Sequence, residues 1–446
     1  MRQMSLFDGT QPFRIDKPIR LIELFAGIGS QAKALERLQA KEKCKFERYR
    51  VCEIDKYAMD SYNAINNTNF QVSDICDWSA NDLGIVDTDK YCYLLTYSFP
   101  CTDLSTAGKQ AGMGKGSNTR SGLLWEVERL LDECKGNLPQ CLIMENVPQV
   151  VSSANIKDFA DWLLKLDSLG YHSEWKMLNA TDFGVPQNRR RCFMVSVLGD
   201  YYYTFPKGKP LQKRLKDILE QSVDEKYYLT EKALLYISDQ QRLGTWTQIC
   251  DKEETKVVKS AITAQGNQNL TGNFVKCESA LQNGIKEPIG YDEQNRIIRQ
   301  CGTVGTLTTD GHSPKHNNRV IEPVIYDDFN NQIKVDQSSI GALTQACRKP
   351  TPRNGVKILL PTNNAKSKES PNEYDVATIE GKAHIFIGGE WCTMRRLTPR
   401  ECWRLMDFYD CDFDAASKYN SDSRLYEQAG NSIVVSVMEA IMGEMM

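Results

Sequence analysis

An alternation of strand-like and helix-like segments over the first part of the chain is the feature that most constrains its fold. Runs of β-branched and apolar residues predict strands, and segments whose apolar positions recur at helical spacing predict helices. Predicted strands span residues 19–25, 48–54, 91–99, 140–147 and 190–198, and predicted helices span residues 30–39, 56–65 and 123–134, with another in IKDFADWLLKLDSLG. This order predicts an α/β fold, a doubly wound and mostly parallel sheet with helices on both faces. In such sheets ligands bind beyond the carboxyl ends of the strands.

The sequence changes character after about residue 203. Long apolar strands give way to polar turns, and segments around Thr263, Thr308 and Thr344 share a pattern at uneven spacing, which argues against a solenoid. We expect a second, smaller domain here, made of β-strands and irregular structure. Helical patterning returns in residues 391–408 and 426–442, with Thr398 as a cap, so we expect the chain to rejoin the first domain. The predicted division is a tail (1–18), a first domain (19–202), a second domain (203–390) and a returning segment (391–446).

Composition narrows the class of protein. Of the 446 residues, 41% are hydrophobic and 25% charged, as in ordinary folded globular proteins. No segment offers the roughly 18 uninterrupted apolar residues of a membrane span, and the N-terminus lacks a signal core, so we expect a cytoplasmic protein without a membrane partner. The fifteen cysteines include no Cys-x-x-Cys pair, so we expect reduced thiols and no metal site.

The first predicted strand ends in a turn of the kind found in nucleotide-binding proteins. Gly27, Gly29 and Ala32 form a G-x-G-x-x-A pattern, whose small residues let a ligand approach the helix N-terminus. Glu53 ends the second strand, where a carboxylate can accept hydrogen bonds from ribose hydroxyls. Asp74 follows a third strand candidate and can accept from an adenine amino group. These residues predict a nucleoside-containing cofactor, but they do not separate a dinucleotide from S-adenosylmethionine.

A single cysteine is predicted at the same edge of the sheet. Pro100 ends the strand of residues 91–99, because it donates no hydrogen bond, and it delivers Cys101 directly to the strand end. Residues 102–122 contain five glycines together with Lys109, Lys115 and Arg120, a composition that favours a mobile lid able to close on an anionic partner. A plain surface loop remains the alternative interpretation.

A carboxylate and two arginines end or begin neighbouring strands. Glu145 ends the buried strand of residues 140–147, where burial would raise its pKa enough for it to donate a proton near neutral pH. Arg189 and Arg191 share one face of the next strand, and Arg190 points the other way. Guanidinium groups at such a site suit a phosphate or a carbonyl oxygen. A helix-capping carboxylate and a solvated basic strand end are the alternatives.

Seven motifs make the chain resemble the DNA cytosine-5 methyltransferases of bacteria and phages. They are FAGIGS, EIDKYA, SFPCTDLS, MENV, QNRRR, RRLTPRECWRLMDF and EQAGNSIV, in the order of that family, over residues 19–200 and 393–442. The resemblance implies the Rossmann-like fold of S-adenosylmethionine-dependent methyltransferases, with a target-recognition domain in the large gap between QNRRR and RRLTPRECWRLMDF. The chain departs from the family in having SFPC, where two prolines often precede the cysteine, and Ile54, where an aromatic often stacks on the adenine.

The resemblance also implies a role for each residue at the sheet edge. The Cys101 thiolate would add to carbon 6 of a cytosine, and S-adenosylmethionine would then methylate carbon 5. Glu145 would hold the ring nitrogen N3 and Arg191 would lie near O2, while Arg189 would brace the site or a phosphate. The implied cofactor-binding residues are Phe25, Ala26, Gly27, Ile28, Gly29, Glu53, Ile54, Asp74, Ile75, Pro100, Asn431 and Ser432.

The implied substrate is a cytosine rotated out of double-stranded DNA, methylated by a monomeric enzyme whose sequence choice lies in residues 203–390. The implied setting is restriction-modification beside an independent restriction endonuclease, or phage anti-restriction. Three rivals stay open: an RNA cytosine-5 methyltransferase of the same fold, a nicotinamide-dependent oxidoreductase and a non-catalytic DNA-binding module. An oxidoreductase would give Cys101 and Glu145 no role. Transfer of a labelled methyl group to DNA or to tRNA distinguishes a DNA methyltransferase from an RNA methyltransferase.

Overall fold

The computed structural model describes residues 11–101, 104, 112–116, 119–134, 136–214, 217–242, 324–327, 340–341, 356–361, 371–372, 375–379, 381–387 and 390–446. The chain forms two compact units, Met1–Gln212 with Trp403–Met446, and Lys213–Cys402. The strands are β1 (Gln11–Pro12), β2 (Ile19–Leu24), β3 (Phe46–Cys52), β4 (Cys92–Tyr97), β5 (Cys141–Asn146), β6 (Tyr171–Asn179), β7 (Gln187–Asn188), β8 (Arg190–Leu198), β9 (Tyr201–Tyr202), β10 (Val324–Asp327), β11 (Ile340–Gly341), β12 (Val356–Pro361), β13 (Val376–Ile379), β14 (Lys382–Ile387) and β15 (Glu390–Arg396). The helices are α1 (Ser30–Ala40), α2 (Lys56–Asn66), α3 (Ala80–Leu83), α4 (Leu124–Glu133), α5 (Ile156–Ser168), α6 (Glu231–Arg242), α7 (Pro399–Arg404), α8 (Asp410–Ser417), α9 (Asp422–Asn431) and α10 (Val435–Gly443). Across these described ranges, none of the helices has the length and apolar character of a membrane span.

A six-stranded sheet forms the centre of the first unit. Its strand order is β3-β2-β4-β5-β8-β6, in which β3, β2, β4 and β5 are parallel and β8 is antiparallel to both neighbours. The predicted doubly wound, mostly parallel α/β fold is confirmed. The edge strand β6 is absent from the sequence prediction, because most of its positions are only partly buried and it therefore has no continuous apolar run.

Helices pack on both faces of this sheet. On one face, alternate residues of β4 such as Leu95 and Tyr97 join a buried cluster with Leu130 of α4 and Trp162 of α5. The Trp162 indole also donates a hydrogen bond to the Tyr97 hydroxyl at 3.0 Å, which satisfies two polar groups inside that core. On the other face, the sulfur of Cys141 in β5 lies 3.6 Å from the sulfur of Met445, two residues beyond the end of α10. Burial on both faces explains the continuous apolar runs of the parallel strands.

The C-terminal helices complete the first unit through buried polar contacts with α1 and α2. Lys33 of α1 forms an ion pair with Asp412 of α8 at 2.8 Å, and both side chains are about 4% exposed. Ser61 of α2 donates to the Gln428 side chain of α9 at 2.9 Å. Because a lone charge or amide in these positions would be costly to bury, the contacts fix how the last helices pack.

The returning segment begins later than predicted. Residues 390–396 are not helical; they form β15, which pairs with β12 and β14 in the sheet of the smaller unit. The helix starts at Pro399, where Thr398 accepts from the Glu401 N–H and the Glu401 carboxylate accepts from the Thr398 N–H. The first boundary is also later, at Gln212, because the Lys209 backbone N–H donates to the Asp182 carbonyl at 2.8 Å and keeps this segment with the first unit.

The smaller unit contains an antiparallel sheet of order β10-β12-β15-β14-β13. Beside it, Arg395 forms a buried two-point ion pair with Glu401, at 2.8 and 2.9 Å. Glu401 also accepts from the backbone N–H of Glu220, so this carboxylate links three segments of the unit. The similar segments around Thr263, Thr308 and Thr344 lie outside the described residues.

A buried carboxyl group lies beneath the first turn of the sheet. Glu23 of β2 has no exposed surface; it accepts from the Ala32 N–H of α1 at 3.2 Å and from the Tyr62 hydroxyl of α2. Burial raises the pKa of Glu23 to about 7, against the opposing effect of these hydrogen bonds. Glu23 therefore ties two helices to the strand end, but its ionised form is disfavoured.

We predict that Glu23→Gln changes the pH dependence of stability. A carboxyl whose folded pKa exceeds its unfolded value binds more protons in the folded state, so the wild-type protein loses stability as pH rises from about 4.5 to about 7. Glutamine keeps an acceptor for Ala32 but cannot ionise, so the variant should gain about 3 kcal/mol relative to wild type across that window. Thermal unfolding at both ends of the window measures the difference. The control is Asp161→Asn, an exposed carboxylate on α5; equal pH dependence in wild type and Glu23→Gln would contradict the prediction.

Candidate active site

The turn after β2 has an unusual backbone. Phe25, Gly27 and Gly29 all have positive φ, at 58°, 57° and 83°. A Cβ on Gly29 would lie 2.7 Å from the Tyr62 ring, so glycine is required there by both conformation and space. A Cβ on Gly27 would meet nothing within 4 Å, which leaves room over this backbone for a ligand. Phe25 is a bulky residue in the left-handed region, a form of strain that concentrates at functional sites.

Glu53 is fixed at the end of β3 by two backbone groups. Its Oε2 accepts from the Gly27 N–H at 2.8 Å and its Oε1 accepts from the Asp55 N–H at 2.7 Å. Burial raises the pKa of Glu53, while both N–H groups stabilise the carboxylate and lower it. Each carboxylate oxygen retains acceptor capacity beyond these bonds. The neighbouring Ile54 side chain is 65% exposed, so an apolar surface lies next to the carboxylate.

Asp74 reaches this edge without the predicted third strand. Residues 72 and 73 are irregular, but the Ser73 N–H donates to the Glu53 carbonyl at 3.0 Å, which places the segment beside the end of β3. One oxygen of Asp74 accepts from the Cys76 N–H at 2.9 Å and caps a short 3-10 turn. Ile75, the next residue, is 3% exposed. A single backbone hydrogen bond therefore places Asp74 beside the end of β3, where the sequence predicted a strand.

Cys101 lies just beyond the end of β4. Phe99 is buried in the core, Pro100 is half-buried, and the half-buried Cys101 packs against the same core cluster. Burial raises the pKa of the Cys101 thiol and the carboxylate of Glu145 raises it further, whereas Arg191 and Arg189 lower it. The thiol therefore lies within electrostatic range of all three predicted partners.

Glu145 and Arg191 form a pair at the ends of β5 and β8. The Arg191 Nε lies 3.3 Å from Glu145 Oε1, and both side chains are at most 15% exposed. Burial raises the pKa of Glu145, and the two arginines act against that rise. A carboxyl in this environment can hold a proton at a pH where an exposed glutamate cannot. Arg190 is exposed, as its alternate position on the strand predicts.

Arg189 connects this cluster to the C-terminal segment. It is 5% exposed, and one guanidinium nitrogen donates to the carbonyls of Gly430 and Ser432, at 3.0 and 2.7 Å. Burial lowers the pKa of Arg189 to about 9, so the group stays protonated at neutral pH. Asn431 lies exposed between those two carbonyls, and the buried Ser432 hydroxyl donates to the Gln428 carbonyl at 2.6 Å. Arg189 thus holds the loop that carries Asn431.

The remaining predicted site residues lie around the first turn. Ala26 and Ile28 are both buried, and the Ala26 N–H donates to the Cys52 carbonyl at 3.1 Å. The predicted lid falls largely outside the described residues, Lys109 included. Lys115 is described, and it forms a 2.5 Å ion pair with Glu128 of α4.

Two polar residues contribute to the site although sequence reasoning assigned them no role. The Asn146 side chain donates to the Phe99 carbonyl at 3.0 Å, and Gln187, which is fully buried, donates to the Leu405 carbonyl at 2.7 Å. Both adjoin predicted residues in MENV and QNRRR. A polar side chain next to an apolar strand was the signal that could have singled out these two residues. Their hydrogen-bond partners, however, are backbone carbonyls, which a sequence does not reveal.

Comparisons with known proteins identify the family of the chain. Residues 19–446 match the family model described as C-5 cytosine-specific DNA methylase. The chain is 28% identical to the type II methyltransferase M2.ScrFI of Lactococcus lactis subsp. cremoris, over 96% of this chain and 99% of that protein. It is 37% identical to the orphan methyltransferase M.SssI of Spiroplasma monobiae, over 47% of this chain and 67% of that protein.

Solved structures show the same fold. A methyltransferase of Entamoeba histolytica, EhMeth, superposes with a TM-score of 0.58 at 15% identity, over 96% of this chain and 98% of that one. The S. pombe Dnmt2 methyltransferase gives 0.54 at 17% identity, over the same shares of the two chains. With the family model matched from β2 to the last residue and the predicted thiol, carboxyl and arginines at one sheet edge, the chain belongs to the C-5 cytosine-specific DNA methylase family.

Proposed function

We propose that this enzyme methylates carbon 5 of a cytosine in duplex DNA through a temporary covalent bond between Cys101 and carbon 6. The observation that carries the proposal is the position of the half-buried thiol within electrostatic range of a buried carboxyl and two guanidiniums. Carbon 5 of cytosine is a poor nucleophile until a group adds at carbon 6. Addition of the thiolate turns the ring into an enamine, and carbon 5 then takes the methyl group. Loss of the carbon 5 proton to water, return of any N3 proton to its donor and departure of the Cys101 thiolate from carbon 6 restore the aromatic ring.

Glu145 and Arg191 suit the charge that develops during this addition. As the thiolate attacks carbon 6, electron density moves toward N3 and O2 of the base. Glu145, whose pKa is raised by burial, would supply a proton to N3. Arg191, 3.3 Å from Glu145, would place a positive group near O2. Arg189 is engaged with the carbonyls of Gly430 and Ser432, which supports the bracing role over a phosphate contact.

The residues at the ends of β2 and β3 fit S-adenosylmethionine. When bound, that cofactor supplies an electrophilic methyl group. Open space over Gly27 would admit the ligand, and Glu53 is fixed where its free acceptor capacity can meet ribose hydroxyls. The exposed Ile54 would offer the adenine an apolar contact in place of an aromatic one. The cofactor would also contact Asp74, Ile75 and Asn431.

Sequence choice would come from the smaller unit. The reacting atoms lie inside the base stack of a duplex, so the target nucleotide must rotate outward at a cost of roughly a few kcal/mol. None of the residues assigned to the reaction or to the cofactor lies in the unit of residues 213–402. We assign to it the reading of base edges, and we favour DNA over RNA as the substrate. A restriction-modification or phage setting accords with this activity.

We predict that expression of the chain in a methylation-deficient host places 5-methylcytosine at a defined sequence, as read by bisulfite sequencing. Cys101→Ser should abolish this mark, because a hydroxyl is not ionised near neutral pH and is a far weaker nucleophile. Binding of S-adenosylmethionine, measured by calorimetry, should remain within about threefold of wild type because the residues around Gly27 are unchanged. Near-wild-type methylation by Cys101→Ser would refute the nucleophile assignment. Labelled methyl found on tRNA but not on DNA would favour the RNA alternative.

We predict that Glu145→Gln makes the thiol easier to ionise but the enzyme slower. An ionised Glu145 raises the pKa of Cys101, so removal of its charge should shift residue-resolved alkylation of Cys101 to lower pH. Methylation should fall by roughly 100- to 10,000-fold, because the proton donor to N3 is lost. Mass spectrometry over a pH series gives the first quantity and labelled methyl transfer the second. Asp161→Asn should change neither, and an unshifted alkylation profile in Glu145→Gln would count against the coupling.

A further inference from the structure

Two backbone carbonyls just before Cys101 lie beyond β4 and are held by side chains. Asn146 Nδ2 donates to the Phe99 carbonyl at 3.0 Å, from the end of β5. Ser121 Oγ donates to the Pro100 carbonyl at 2.7 Å, from the segment before α4. The peptide between Pro100 and Cys101 is planar, and proline restricts its own φ, so the direction of that carbonyl sets where the backbone of Cys101 can lie.

Ser121 is itself held rigidly. It has no exposed surface and belongs to the 3-10 turn Arg120–Leu123. Thr119 caps the turn: its hydroxyl accepts from the Gly122 N–H at 3.1 Å and donates to the Gly112 carbonyl at 3.0 Å. The turn continues into α4, whose Leu124 is fully buried in the core. The Ser121 hydroxyl is therefore a fixed donor rather than a mobile surface group.

We propose that Ser121 is a positioning residue for methyl transfer, which holds the Pro100–Cys101 peptide so that the thiol meets carbon 6 of the base. The proposal rests on the proposed role of Cys101 as nucleophile. Ser121 acts through the backbone carbonyl of Pro100, which is also among the residues that the resemblance assigns to the cofactor, so the KM for S-adenosylmethionine is measured beside the rate. A displaced thiol spends less time in the attacking geometry, and a misplacement of about 1 Å can cost on the order of 100-fold in rate. Loss of the Ser121 hydroxyl should lower the turnover rate and leave the KM values for S-adenosylmethionine and for DNA unchanged.

The test compares Ser121→Ala, which removes the donor, with Ser121→Thr, which keeps it. The matched control is Ser196→Ala, because Ser196 is also fully buried and its hydroxyl lies 2.8 Å from that of Ser173 on the neighbouring strand. For each protein, single-turnover methylation of a duplex carrying the mapped target is measured per cofactor-binding molecule, together with both KM values and the unfolding temperature. Should Ser121→Ala not fold, Ser121→Cys, with its weak donor, takes its place.

We expect Ser121→Ala to lose about 10- to 100-fold in single-turnover rate, with KM values within about twofold of wild type. Ser121→Thr should recover most of the rate, and Ser196→Ala should lose at most about twofold. A rate in Ser121→Ala within twofold of wild type would overturn the inference, as would a Ser121→Thr rate as low as that of the alanine variant. A loss that disappears when rates are counted per cofactor-binding molecule would also overturn it. Absence of methylation by wild type in the same assay would instead contradict the proposed function.

Discussion

The charge balance around Cys101 is the constraint on which the rest of the site depends. In the proposed reaction the thiol ionises to attack the base, yet burial and Glu145 both raise its pKa. In the same proposal Glu145 keeps a proton, and burial raises its pKa. The two arginines oppose both shifts, so the site holds a thiol and a carboxyl whose protonation states are coupled. In the proposed reaction, a protonated Glu145 would face a ring that becomes basic at N3 as the thiolate adds.

The charged cluster keeps its geometry only because distant parts of the chain meet. Arg189 is buried against the carbonyls of Gly430 and Ser432, which lie far along the sequence. Those carbonyls are in turn positioned by helices that pack on α1 and α2 through polar contacts such as Lys33 with Asp412. Loss of one partner would leave a buried charge unpaired, a change that is more disruptive than loss of a surface pair. The C-terminal helices therefore help to hold Arg189 in place.

The sequence predicted those features that have a local pattern. Apolar runs predicted the central strands, and Gly27 and Gly29 predicted the turn. Both features are set by residues that are adjacent in the sequence. Residues 391–396 were assigned wrongly because their pairing with β12 and β14 is long-range, and the strand expected before Asp74 is replaced by one hydrogen bond to the Glu53 carbonyl. The contacts of Asn146, Gln187 and Ser121 with backbone carbonyls could not be foreseen, since a carbonyl partner leaves no trace in the sequence.

Covalent trapping on a fluorinated duplex decides whether Cys101 bonds to the base. A duplex with 5-fluorocytosine at the target has no proton to lose from carbon 5, so the methylated adduct should remain attached to the enzyme when S-adenosylmethionine is supplied. We expect a complex that survives denaturation, with the modified nucleotide on the peptide that contains Cys101 in a mass spectrum. If an enzyme that methylates ordinary duplexes forms no such complex, or forms it through another residue, Cys101 is not the nucleophile.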